Sequence, residues 1–307
     1  MSRRPMTNEH PVLAKEPSMP RGLKRSIVGA ALLLALGATA VLGIMMYQGH
    51  RKPVGNPEYV ALGSSFAAGL GLGELAPGAP LACQRSVNGY PQQLARSAGL
   101  SLVDMSCSGA TVKHLVGGGQ FFQGPQIAPI NANTRLVTLT VGGNDIGYIG
   151  SLVSAGYRNR GGIMRWLTAM SGGETYPEQQ DFIAVQNEIV ATIAAIRRRS
   201  PKALVVVVTY PPVLPENGTC DALHLTQQQV RSSLGVAARL AEATRKTAHQ
   251  SGAVLVDMAT IGSGHDACSA QPWTYDLAPP EGASFHPTRA GAAATAEQIE
   301  HILTSRM

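Results

Sequence analysis

The run Ala203-Leu204-Val205-Val206-Val207-Val208 carries no polar residue on either parity. A strand turns successive side chains to opposite faces, so a run apolar at every position must be covered on both sides. That is the condition of a central strand in a parallel sheet. Four other, mostly apolar runs read as strands: Tyr59 to Leu62, Leu100 to Met105, Leu136 to Val141 and Ala253 to Met258. Helical patterns lie between them. Tyr90, Leu94 and Ala98 recur at i, i+4 and i+8, with Gly99 placed to end the helix. Phe182, Val185, Ile189, Ile193 and Ile196 form one stripe from Asp181 to Arg199, and Arg197-Arg198-Arg199 stand where the helix dipole favours cations. Thr226-Gln227-Gln228-Gln229 is a capping box that opens a helix running to Gln250, with Gly252 to stop it. His286-Pro287-Thr288 starts a last helix, with Pro at a first helical position. Strands alternating with helices predict a parallel, doubly wound sheet of five strands in one α/β domain.

The charge distribution excludes a basic binding face. The chain of 307 residues has a net charge of +6, and all of it belongs to the first 52 residues, which hold eight Lys/Arg and two Asp/Glu. The remainder holds seventeen of each. A neutral body argues against a nucleic-acid partner. The leader has its own logic. Residues 1–25 form a basic tail, and Ser26 to Tyr47 contains no charged residue. About 20 apolar residues cross a bilayer core. Arg21, Lys24 and Arg25 precede the span, which predicts a cytoplasmic N-terminus and an exported body. The expectation is a signal anchor over 26–47, a linker over 48–57 and a globular domain over 58–307. Ala38-Thr39-Ala40 offers an alternative, a signal-peptidase site and a secreted body.

Three strand ends converge on one edge of such a sheet. The first strand stops at Gly63-Ser64-Ser65, the second leads to Ser108-Gly109, and the third to Gly142-Gly143-Asn144-Asp145. Acyl transfer through a serine needs a nucleophile, a base and donors for the oxyanion. Ser65 offers a hydroxyl and a backbone N–H, Gly109 a second N–H without a Cβ in the way, and Asn144 a side-chain amide. His286, on a turn entering the last helix, is placed to supply the base. The four cysteines, Cys83, Cys107, Cys220 and Cys268, show no C-x-x-C metal spacing. An even number in an exported domain points to two disulfides, for which three pairings exist. Cys83–Cys107 and Cys220–Cys268 are preferred, because each joins loops at one end of the sheet. Neither a metal nor a cofactor is expected.

The order Gly63-Ser64-Ser65, Gly109, Gly142-Gly143-Asn144-Asp145, His286-Pro287 resembles the SGNH (GDSL-type) hydrolase family over residues 58 to about 305. The resemblance implies a three-layer, flavodoxin-like α/β/α sandwich and hydrolysis of esters of lipids or acetylated sugars. It implies Ser65 as nucleophile, an oxyanion hole from Ser65, Gly109 and Asn144, and His286 as general base. The Gly-x-Ser-x-Gly elbow of ordinary α/β-hydrolases is absent. Two positions depart from the family pattern. Position 64 is Ser instead of Asp, and the position three before the histidine is Ala283 instead of Asp. The chain is similar to an exported, disulfide-bearing esterase branch that uses a Ser-His dyad. That similarity implies that the Ala283 backbone carbonyl orients His286. Asp276 and Glu281 are the nearest carboxylates and the candidates to complete a triad instead.

The expected activity is that of a membrane-anchored, extracytoplasmic serine esterase or lipase acting as a monomer on acyl-lipid or short-chain esters. The alternatives are a deacetylase of cell-envelope polysaccharide and an inactive scaffold that binds envelope glycan. Other features read as structural. The remaining seven histidines are expected to be solvated or structural, with His265-Asp266 the one rival base worth testing. Asp145 is expected to fix its loop. Gly147 to Gln180 shows no clear periodicity and is a candidate lid, and Trp166 with Met164 and Met170 reads as core packing.

Overall fold

The computed structural model describes residues 21–163, 165–166 and 176–306. The chain divides into two compact units, residues 1–44 and 45–307. The first carries most of the helix Arg21–Gly49. Within it Gly29–Gly49 is long and apolar enough to cross a membrane, with mean hydropathy 2.1 over its most apolar window and none of that window buried. In the second unit, residues 48–50 are fastened to the domain, although the sequence places them in a linker. Gln48 Oε1 accepts the Leu81 N–H at 2.9 Å. The His50 ring stacks on Phe122, and a Cβ on Gly49 would lie 2.2 Å from the Phe121 carbonyl oxygen. Short polar and ring contacts of this kind leave no trace in composition.

The second unit is built on β1 (Tyr59–Gly63), β2 (Leu102–Asp104), β3 (Leu136–Thr140), β4 (Leu204–Val208) and β5 (Val254–Val256). All pairs are parallel, in the order β2-β1-β3-β4-β5. The two faces separate by parity. Val60, Leu62, Val137, Leu139, Val205 and Val207 pack against Phe182, Val185, Ile189 and Ile193 of the helix Gln179–Arg199 and Leu240 of the helix Gln227–Ser251. Tyr59, Ala61, Leu136, Val206, Val208 and Val256 face Tyr90 and Leu94 on one helix, and Ala292, Ile299 and Leu303 on the C-terminal one. Burial on both sides is why β4 reads as an unbroken apolar run, while the buried Thr138 and Thr140 of β3 pair their hydroxyls with those of Tyr59 and Tyr90. The result is a three-layer α/β/α sandwich of flavodoxin-like order.

That order has a consequence for function. Chain connections leave β1 and β3 toward opposite faces, which opens a crevice at their carboxyl ends. Ser65 follows β1 and Asn144 follows β3, so both stand at that switch point.

Three local readings are corrected. Pro287 does not begin the last helix. It forms an isolated bridge with Thr274, and the helix runs Arg289–Arg306. Thr288 caps it, its Oγ1 accepting the Gly291 N–H at 3.1 Å. A hydroxyl can satisfy an orphan helix donor, which proline cannot do. The stretch after Asn144 contains a regular helix, Tyr148–Arg160, whose buried side carries Tyr148, Ile149, Leu152 and Ala155. Its small and polar residues blur the periodicity. Trp166 is 63% exposed, so it is not a core residue; Met164 and Met170 lie outside the described residues.

Both expected disulfides form, Cys83–Cys107 and Cys220–Cys268. The first joins the 3-10 turn Leu81–Cys83 to the loop after β2, two residues before Gly109. Its sequence separation is 24, and a closed loop of this size restricts the unfolded chain by about 3 kcal/mol on chain-entropy grounds. Replacing Cys83 and Cys107 together by alanine should lower the unfolding free energy by about that amount in urea denaturation of the detergent-solubilised chain.

Candidate active site

β1 ends where glycine is required. Gly63 has φ 138°, and a Cβ there would lie 2.4 Å from the Thr140 carbonyl oxygen on β3. Ser64 N–H then donates to that same oxygen at 3.0 Å, the last backbone bond between the two strand ends. The chain turns at once into the short helix Ser65–Ala68. Ser65 thus occupies a first helical position, whose N–H has no partner within the helix. The two serines are sorted by their surroundings. Ser64 is 1% exposed, and its Oγ lies 3.2 Å from the Tyr210 hydroxyl. Ser65, at 7% exposed, turns its hydroxyl toward His286.

The Ser65 Oγ to His286 Nε2 distance is 2.7 Å across 221 residues of sequence. A serine hydroxyl bonded to an imidazole is the arrangement nucleophilic catalysis requires. The other ring nitrogen is held by a backbone carbonyl, and it is not the one the sequence indicates. His286 Nδ1 bonds to the Ser284 oxygen at 2.8 Å. The Ala283 oxygen is occupied by the His286 backbone N–H at 3.0 Å. The reason is Phe285, buried and held at φ 58°. This left-handed residue bends the chain so that the carbonyl two residues back, and not three, meets the ring. Bulky residues rarely adopt that conformation. Burial of the imidazole pushes its pKa from 6.5 down to about 4, opposed by the Ser284 carbonyl. A carbonyl dipole opposes desolvation less than a carboxylate would.

Neither rival carboxylate carries that Nδ1 bond. Asp276 Oδ1 accepts the Ala278 N–H at 3.0 Å, and Glu281 lies on an exposed turn. His265 is a structural histidine. It stacks on Trp273 with ring centroids 4.2 Å apart, and its Nδ1 bonds to the Gln271 oxygen.

Gly109 stands in the turn after Cys107 with φ 82°, closed by a bond from the Ala110 N–H to the Cys107 oxygen. The Asn144 Nδ2 donates to the Ala110 carbonyl at 2.8 Å. An amide nitrogen carries two hydrogens, so one remains for another acceptor. Asp145 fixes its loop as expected: its carboxylate accepts the Val112 N–H at 3.1 and 3.2 Å. The turns after β2 and β3 are therefore tied together by two side chains of the Asn-Asp pair. Partial burial raises the Asp145 pKa above the ordinary carboxylate value, while the Val112 bond opposes this.

Three participants escape a reading of the sequence. Ser284 is hidden because its side chain is not what acts. Gln126 is 4% exposed and brackets Gly63, its Oε1 accepting the Gly63 N–H at 2.8 Å and its Nε2 donating to the Gly63 oxygen at 3.1 Å. Tyr210, two residues beyond β4, accepts the Gly143 N–H at 3.1 Å as well as meeting Ser64. Only Tyr210 left a signal, as a hydroxyl-bearing residue just beyond the end of the most apolar strand. Among the described residues no group of acidic, histidine or cysteine side chains could hold a metal ion.

Known proteins share this architecture. Residues 61–294 match the GDSL-like lipase/acylhydrolase family. Lipase 2 of Streptomyces coelicolor is 30% identical over 93% of this chain and 98% of its own length. A lipase of Streptomyces rimosus is 29% identical over 87% of this chain and 94% of its own. Among solved structures, the extracellular lipase of Streptomyces rimosus superposes with a TM-score of 0.65 at 26% identity, over 79% of this chain and all but 2% of that one, since 98% of it is covered. Phospholipase A1 of Streptomyces albidoflavus gives 0.65 at 28% identity, covering 81% of this chain and 98% of its own. The chain belongs to the GDSL-like lipase/acylhydrolase family and is a carboxylic ester hydrolase.

Proposed function

We propose that this enzyme hydrolyses its esters through an acyl-enzyme on Ser65, using a Ser65–His286 dyad steadied by the Ser284 carbonyl. The observation that carries the reading is the continuous chain of bonds from the Ser65 hydroxyl through both His286 nitrogens to Ser284. Ser65 Oγ attacks the ester carbonyl carbon as its proton passes to His286 Nε2. The developing oxyanion is received by the N–H groups of Ser65 and Gly109 and the remaining amide hydrogen of Asn144. Collapse expels the alcohol, which takes the proton from Nε2. A water molecule then attacks the acyl carbon, gives its proton to Nε2, and Ser65 leaves as the free hydroxyl. Acyl-lipids or short-chain esters are the substrates we favour. The Streptomyces relatives are lipases, and one structural neighbour is a phospholipase A1. We further infer that the apolar span 26–47 of the helix Arg21–Gly49 anchors the enzyme to the membrane with its catalytic domain outside. Its length and hydropathy support this, and the Streptomyces rimosus relative is extracellular.

Hydrolysis of p-nitrophenyl esters from acetyl to palmitoyl by the full chain in detergent tests the substrate class. Turnover that extends to long acyl chains is expected; activity confined to acetyl esters would favour the deacetylase reading. Membrane fractions washed with alkaline carbonate should retain the full chain, and a soluble form beginning near Val41 would refute the anchor.

The dyad makes its own predictions. Ser65→Ala should abolish turnover without unfolding the protein, whereas Ser64→Ala should keep most of it. Asp276→Asn and Glu281→Gln should each stay within roughly tenfold of the parent, since loss of a true triad aspartate costs about 10⁴ in kcat. The acid limb of kcat/KM follows from the histidine. The base works when neutral, so activity is lost as pH falls through its pKa, and a depressed value moves that loss downward. The inflection should lie at about 4 instead of 6.5. A limb that remains at 6.5 would show that the imidazole is more solvated than this geometry allows.

A further inference from the structure

The site depends on two turns that no backbone ladder holds together. Pairing of β1 with β3 ends at Gly63 opposite Thr140, followed by the single Ser64 to Thr140 bond. Beyond that point the nucleophile turn, Ser64-Ser65, and the donor turn, Gly143-Asn144, leave the sheet in different directions. We infer that Tyr210 is the positioning residue that holds them in register, with its hydroxyl as a brace between Ser64 and Gly143.

The geometry restricts how that hydroxyl can act. Gly143 N–H can only donate, so the Tyr210 oxygen accepts there at 3.1 Å. The 3.2 Å contact with Ser64 Oγ uses the phenolic hydrogen or the oxygen's second lone pair. One oxygen therefore joins a turn after β1 to a turn after β3, from a residue that follows β4. The contact depends on glycine: a Cβ at position 143 would lie 2.9 Å from the Tyr210 hydroxyl oxygen and 3.0 Å from the ring carbon bearing it. It also depends on a short side chain at position 64, where the family pattern carries a carboxylate. The ring is 8% exposed. It packs edge-on against Phe66 at 4.6 Å between centroids, and Phe66 in turn lies 5.1 Å from the His286 ring. Tyr148 closes the other side at 6.3 Å. Burial pushes the phenol up to about 12, so it remains a neutral hydroxyl throughout the working range of the enzyme.

Tyr210 touches neither Ser65 nor His286 through its oxygen. Its effect passes through the spacing of Ser65, which follows Ser64, and of Asn144, which follows Gly143. Nucleophile and oxyanion donors must be spaced for the transition state, where a misplacement of about 1 Å can cost about 100-fold in rate. Loss of the brace should consequently appear in kcat and leave substrate affinity alone.

This inference rests on the Ser65 acyl-enzyme reading, and the experiment separates the two. The full chain, its Tyr210→Phe, Ser64→Ala and double variants, and Ser65→Ala are titrated in detergent with an alkyl p-nitrophenyl phosphonate. One p-nitrophenol released per phosphonylated serine counts competent sites, so a misfolded fraction does not enter the rate. Per titrated site, Tyr210→Phe should lose roughly 10- to 100-fold in kcat, with KM within twofold and an unchanged acid limb. Ser64→Ala should lose about twofold, and the double variant should match Tyr210→Phe, as expected of two partners in one contact. A Tyr210→Phe rate within twofold of the parent, a loss confined to the number of titratable sites, or a double variant whose loss is the product of the singles would each overturn the brace. Failure of the unmodified chain to label, or labelling of Ser65→Ala, would overturn the acyl-enzyme reading and the brace with it.

Discussion

The close approach of β1 and β3 at their carboxyl ends is what the rest of the site depends on. Gly63 sits opposite Thr140 without room for a Cβ, and the Ser64 N–H completes the contact. This register fixes the level at which the chain turns into the helix Ser65–Ala68, and hence how far Ser65 stands above the sheet. Everything else is anchored to it. Gln126 brackets the same glycine, and the Cys107 N–H bonds to the Gly63 oxygen at 3.0 Å. A parallel sheet supplies such a platform because helices cover both of its faces, leaving only the strand ends free to carry chemistry.

Above the platform the order is kept by side chains that bind backbone groups. Asn144 holds the Ala110 carbonyl and Asp145 holds the Val112 N–H. Gln120 Nε2 donates to the Ser108 oxygen at 2.8 Å, beside the turn that the Cys83–Cys107 bridge secures. Buried Arg85 donates to the Ser106 oxygen and to Gln123 Oε1. Loops leave their backbone polar groups unpaired, and these side chains supply the partners that a ladder would otherwise provide. Preorganisation of this kind spares the reaction the cost of arranging donors as charge develops.

The histidine illustrates a different balance. His286 is buried with no carboxylate on its Nδ1, so desolvation dominates and favours the neutral ring. That suits a base that waits unprotonated. The Ser284 carbonyl sets the tautomer and offers the imidazolium a partial charge only. The strained φ of Phe285 is the local cost of bringing that carbonyl into place.

Much of this protein was determined by sequence alone. Mostly apolar runs of the right length gave five strands, because burial on both faces favours apolar side chains at every position. The helix stripes, the Thr226 capping box and the blocks containing Ser65, Gly109, Asn144 and His286 are local patterns, and local patterns survive in a one-dimensional reading. The disulfide pairing followed once the strand ends were placed together. Other features were decided only by the fold. Which serine faces the histidine depends on Tyr210 filling the space beside Ser64, from 146 residues away. Which carbonyl meets His286 depends on a backbone angle at Phe285, where the residue type favours nothing of the kind. The cap at Thr288 and the docking of Gln48–His50 depend on the neighbours that tertiary packing brings. In each case the deciding contact joins residues distant in sequence or a backbone group without a side-chain signature, and neither is written in the order of the amino acids.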